Sequence, residues 1–149
     1  VGNPVVTQLA TDLKQLQVLS QQLLELLHAE AGAVQARDAL ALNEILKQKQ
    51  HLVAQVESAE QARNATLKRY SGDLDDETDP LFSQWQGVLD LAARCQQANR
   101  DNHSLIISNQ RYVNEALHIL TGSDTRPQEN AYNAHGEQRG GSGRSLGEA

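Results

Sequence analysis

Large side chains of the aromatic kind are scarce in this sequence: tryptophan and phenylalanine occur once each, tyrosine three times, and methionine not at all. A core must then rest on leucine, valine, isoleucine and alanine, a set that favours helices packed on helices over a β-sandwich. The lack of methionine leaves the chain without an initiator. The single cysteine, Cys95, excludes an intramolecular disulfide. No signal-peptide pattern and no run of about twenty apolar residues occurs, which argues against direct membrane insertion and for a reducing, cytoplasmic setting. Basic residues are also few: 13 Lys and Arg against 19 Asp and Glu give a formal net charge of −6. They are scattered, so the clustered cations that a nucleic-acid partner requires are missing.

What the 149 residues do contain is three long helical patterns and a polar tail. The first covers about 4–35, where Val6, Leu9, Leu13, Leu16, Leu23, Leu27 and Val34 recur in steps of three and four. Ser20 and Glu30 fill the two remaining seam positions, while Leu19, Leu24 and Leu26 widen the apolar face. The second covers about 38–70, with Asp38 as cap and a seam through Leu42, Ile45, Lys49, Leu52, Val56, Ala59, Arg63, Thr66 and Tyr70. Lys49 and Arg63 on that seam are expected to snorkel, their charged heads in water. The short join between the two patterns predicts an antiparallel hairpin.

The third pattern is the longest, about 80–121, opened by the cap Asp79 and by Pro80 and closed by Gly122, a residue suited to a left-handed helix end. Its seam is Trp85, Val88, Ala92, Cys95, Asn99, Asn102, Ile106, Asn109, Val113, Ala116 and Leu120. Beyond it, 122–149 is rich in Gly, Ser, Asn, Gln and Arg and is expected to be a flexible, disordered C-terminal tail. The predicted fold is therefore all-α. It is an antiparallel up-down bundle of three long helices with left-handed coiled-coil packing, forming one helical domain over 1–121.

Catalytic and metal chemistry finds little support. Asp73, Asp75 and Glu77 alternate as calcium ligands would, but the loop lacks the glycine at its sixth position and carries Gln84 at the twelfth. A solvated acidic turn is the simpler reading. His28, His51, His103, His118 and His135 are dispersed, without the convergent spacing of a zinc site. A phosphotransfer histidine at His51 lacks the small neighbour that would open space beside it, since Leu52, Val53 and Ala54 follow. Cys95 sits on an apolar seam with no base to activate it, and no phosphate loop or nucleophile elbow is present. Neither an enzyme nor a cofactor or metal site is expected.

The anomalies are Asn99, Asn102 and Asn109 on the third seam. A buried asparagine can fix the register of packed helices. It can equally mark a stretch left uncovered for a partner, and the surplus length of the third helix favours that second reading. Past the asparagines, Leu105-Ile106-Ile107, Tyr112-Val113, Ala116-Leu117 and Ile119-Leu120 spread over more of the circumference than one seam needs. A wider core face would account for the same residues.

Taken in order, three stretches resemble the FlgN family of flagellar type III export chaperones. They are LLELLHAEAGAVQARDALALNEILKQKQHL in the hairpin, Trp85 followed by Cys95-Gln-Gln-Ala-Asn99-Arg-Asp-Asn102, and Ala131-Tyr132-Asn133-Ala134-His135-Gly136 in the tail. The resemblance spans roughly the first 136 residues, and Asn133 departs from the glycine often found after the tail tyrosine. It implies a cytoplasmic bacterial chaperone that binds C-terminal helical regions of hook-associated proteins, prevents their premature assembly and delivers them to the export gate. It further implies that Leu105, Ile106, Val113, Leu117 and Leu120 bind the substrate protein and that Tyr132 contacts the cytoplasmic domain of the gate. An alternative is a structural coiled-coil subunit that self-associates through the third helix, and a homodimer is compatible with either.

Overall fold

The structure is a computed structural model that describes residues 2–122. The expected tail, apart from Gly122, lies outside the described residues. So do Tyr132, Asn133 and His135. Three α-helices follow one another: α1 (Pro4–Ala36), α2 (Ala39–Leu67) and α3 (Phe82–Thr121). No strand occurs among the described residues. The chain divides into two compact units, one ending at Asn99 and one beginning at Arg100. Residues 82–99 of α3 belong to the first and 100–121 to the second.

Helix ends follow local chemistry. The Asn3 side chain accepts from Val5 N at 3.0 Å, and Pro4 supplies a first-turn residue whose missing N–H has no intrahelical use. At the other end of α1, Arg37 adopts the left-handed conformation at φ 55°. Arg37 N donates to Val34 O at 3.1 Å, and Asp38 N donates to Ala33 O at 3.0 Å, which satisfies the last carbonyls. The Asp38 side chain then accepts from Ala41 N at 3.0 Å and starts α2 after a join of only two residues.

α1 supplies most of the core of the first unit. Leu9 and Leu13 are wholly buried and Leu16 nearly so, packed with Leu74, Leu81 and Val88. A second cluster joins Leu24 and Leu27 to Cys95, with Leu23, Leu91 and Ala98 against it. α2 buries only Leu52, Arg63 and Thr66, so it covers α1 with one narrow stripe. Polar groups tie the layers: Gln84 Nε2 donates to Ala10 O at 2.9 Å, and Gln17 Nε2 to Gln84 O at 3.3 Å.

Neither seam cation is left to water alone: Arg63 is buried, and Lys49 keeps about a quarter of its side chain exposed. Lys49 Nζ donates to both carboxylate oxygens of Glu30, at 3.2 and 3.4 Å, and to Asn99 Oδ1 at 2.9 Å. The Arg63 guanidinium lies 4.5 Å from the centre of the Trp85 ring and bonds Glu60 and Asn64. The expectation of snorkelling is corrected on this point. Each cation has a partner on another helix within reach of its head.

The connection between α2 and α3 also departs from expectation. α2 ends at Leu67, three residues before the expected Tyr70, because Arg69 N and Tyr70 N turn back to Thr66 O and Leu67 O in a tighter winding. Tyr70 Oη then donates to the Asp79 carboxylate at 2.8 Å. Burial and that neighbouring carboxylate push the Tyr70 hydroxyl above its usual pKa. Asp79 does accept from Leu81 N, at 2.8 Å, but α3 begins at Phe82, two residues past Pro80. Gly72 passes so close to Tyr70 and Asp79 that a Cβ there would collide with both. Asp73 and Asp76 spend carboxylate oxygens on Asp75 N and on Thr78, which holds the Asp76 carboxyl below the usual range. Leu74 pins this acidic segment into the core at 4% exposure.

Only Arg37 among the described residues other than glycine has a positive φ, so Arg37→Gly relieves a crowded Cβ without touching the core. The expected outcome is a gain of about 0.5–1 kcal/mol, read from the urea midpoint at unchanged slope.

Candidate functional site

Near the start of the second unit one residue is well covered, and the apolar side chains after it become more exposed toward the end of α3. Asn102 is 5% exposed, and Leu105, Ile106 and Ile107 are half-buried. Farther along α3, Val113 is 41% exposed, Leu117 52% and Leu120 81%, with Tyr112 and Ile119 also exposed. Val113, Leu117 and Leu120 follow one another at steps of four and three and share a face of the helix. Tyr112 and Ile119 are seven apart and form a second row beside it. Two adjacent apolar rows on a regular helix make a surface that an amphipathic partner helix can cover.

The helix holds this surface to its last turn. Gly122 at φ 62° donates its N–H to His118 O at 3.0 Å, and Thr121 Oγ1 donates to Leu117 O at 2.8 Å. Those bonds satisfy terminal carbonyls that would otherwise need water, so the exposed leucines remain helical to the end. His118 stands in the last turn, where a positive charge is favoured by the helix dipole.

The three seam asparagines have different settings. Asn99 closes the first unit and accepts from Lys49, whose ammonium also serves the nearly inaccessible Glu30. Asn102 is buried in the second unit, and Asn109 is half-buried. They do not form one exposed polar row. Of the five apolar positions expected to bind substrate, Val113, Leu117 and Leu120 are exposed, whereas Leu105 and Ile106 are partly covered. Tyr112 and Ile119 were not among those five positions, although the sequence placed them in the apolar spread that exceeds one seam.

Elsewhere the chemistry is structural. Cys95 is buried with its Sγ 3.4 Å from Ser20 O, and burial pushes its thiol pKa up. That suppresses the thiolate that a nucleophile needs. Among the described residues no three His, Cys, Asp or Glu side chains gather as a metal site. Also among the described residues, no helix is long and apolar enough to cross a membrane.

Comparison with known proteins follows the same direction. The family model described as FlgN protein matches residues 5–140, which takes in all three helices. No curated protein and no solved structure matches the chain.

The contrast between core and exposed row has a direct consequence for stability. Leu13→Ala, at a wholly buried position, is expected to cost about 2–5 kcal/mol in urea unfolding. Leu117→Ala, at 52% exposure, is expected to stay within about 0.5 kcal/mol of the parent.

Proposed function

This chain belongs to the FlgN family of flagellar export chaperones, and on that premise we propose that its exposed α3 surface binds the C-terminal helical regions of hook-associated proteins. In this reading Leu105, Ile106, Val113, Leu117 and Leu120 carry the contact. The chaperone prevents premature assembly at the hook–filament junction and delivers its cargo, in the cytoplasm, to the type III export gate. The observation that carries the proposal is the run Tyr112, Val113, Leu117, Ile119 and Leu120 at the end of α3, since the other exposed large hydrophobics among the described residues, Val18, Leu40, Leu46, Val53 and Leu89, do not form such a run along one helix end. Single exposed apolar residues are ordinary on a protein surface, but adjacent rows at helical spacing ask for a cover.

The proposed mechanism is helix pairing. A hook-associated protein that assembles through helical ends would lay an apolar stripe along α3 in place of its assembly partner. The stripe is interrupted by Asn109 and His118 and is only partly apolar, which keeps the complex weak enough to come apart at the gate. Asn102 and Asn109 serve register or partner contact in the same scheme.

The proposed architecture is an up-down-up antiparallel bundle with left-handed coiled-coil packing. Its support in the first unit is the pairing of residue numbers that run in opposite directions, Asp12 with Thr66 and Glu30 with Lys49. Arg63 with Trp85 and Lys49 with Asn99 support the same relation for α2 and the start of α3. The segment 122–149 is proposed to be functionally separable from the helical domain, with Tyr132 as its contact to the cytoplasmic domain of the gate.

Ile106→Asp and Leu117→Asp are the direct tests. The expected outcome is capture of a hook-associated protein weakened at least tenfold, about 1.4 kcal/mol, at unchanged helicity by circular dichroism. Unchanged capture by a well-folded variant refutes the assigned surface. A chain ending at Gly122 is expected to keep substrate capture and lose gate binding; loss of both would mean that the tail is not separable. Oligomers of fixed size that ignore added substrate would favour the self-associating subunit instead.

A further inference from the structure

Two polar ties cross between helices of the first unit, and Glu30, Lys49 and Thr66 in them hold seam positions where the helical pattern calls for apolar residues. At one, Glu30 of α1 is 1% exposed and accepts from Lys49 of α2, whose ammonium also reaches Asn99 of α3. At the other, Thr66 Oγ1 of α2 donates to Asp12 Oδ2 of α1 at 2.6 Å, while Gln8 Nε2 donates to Asp12 Oδ1 at 2.9 Å. Asp12 and Thr66 are themselves buried.

The spacing of the ties is matched. Asp12 and Glu30 stand 18 residues apart on α1, and Thr66 and Lys49 stand 17 apart on α2, about 27 and 26 Å at helical rise. One alignment of the two helices therefore satisfies both ties. A slide of one turn, about 5.4 Å, moves Thr66 away from Asp12 and Lys49 away from Glu30, so each carboxylate loses its partner on the neighbouring helix. Apolar contacts discriminate far less, because Leu9, Leu13, Leu16, Leu24 and Leu27 present leucine to the neighbour again after a shift along the helix. Taking charged groups out of water costs more than their attraction reliably returns, so net stability is a poor account of these residues.

We infer that either tie is enough to select this axial register, the two agreeing on it, and that they exact a cost in stability for doing so. They act as a conformational lock in the first unit. This inference is independent of which partner the end of α3 binds.

The test is a full chain carrying Asp12→Leu, Thr66→Val, Glu30→Leu, Lys49→Met and Asn99→Leu, compared with the parent. The expected result is a urea midpoint no lower than the parent's, together with more than one amide signal for individual residues of α1 and α2 in ¹H–¹⁵N spectra. Reverting positions 30, 49 and 99 should collapse each set to one signal. One signal per amide in the fivefold variant overturns the inference, since register would then be held without the ties. A lower midpoint, complete loss of folding included, overturns it as well, because the ties would then contribute net stability. Multiple signals that survive the reversion count against it equally.

Discussion

The removal of one face of α1 from water is the constraint on which the structure depends. Leu9 and Leu13 have no exposed surface and Leu16 almost none, and the rings packed against their cluster, Tyr70 and Trp85, are only partly buried. Burying such side chains is worth about 1.5–3 kcal/mol each, so helices and loop are drawn over them from more than one direction. Val88 comes from α3, while Leu74 and Leu81 come from a connection that is otherwise acidic. That last contribution explains why so polar a segment is ordered: its leucines are anchored in the core, and its aspartates cap its own turns.

Packing of leucines alone leaves the helices free to choose among near-equivalent alignments, and the polar residues on the seams narrow that choice. Glu30, Lys49 and Asn99 meet from three helices. Arg63 spreads its guanidinium over Trp85, and Thr66 finds Asp12. In each case a side chain that interrupts the apolar pattern is matched by a complementary group on another helix. A mismatch would take from each of these polar groups its partner on the neighbouring helix, a penalty that exchanging one leucine contact for another does not carry.

Much of this could be read from residue order, and what could not has a physical cause. Asp38 and Gly122 announced helix ends correctly because capping depends on a few adjacent residues. The wide apolar face of α1 was legible from its leucines at steps of three and four. Lys49 and Arg63 were misjudged because periodicity identifies the face a residue occupies, but not that Glu30 or Trp85, about twenty residues away, will meet it there. Leu74 carried no periodic signal, being a lone leucine among acids. The ends of the loop slipped because Tyr70 forms a bond with Asp79 in place of a last helical turn. The asparagines stayed ambiguous for the same reason as the cations: Asn99 meets Lys49 only once the chain is folded.

α3 thus carries two kinds of residue along one regular helix. Val88 and Cys95 are buried in the first unit, whereas Leu117, Ile119 and Leu120 of the second are more than half exposed. Under the proposed function that exposure is the client surface, since a chaperone must show an apolar surface to its client and keep its own core closed. Amide hydrogen exchange along α3, with and without a peptide from the C-terminal region of a hook-associated protein, tests this most directly. The expected result is slowed exchange confined to 105–120, with 9–34 unchanged. Protection elsewhere, with 105–120 exchanging as in the free chain, would contradict it.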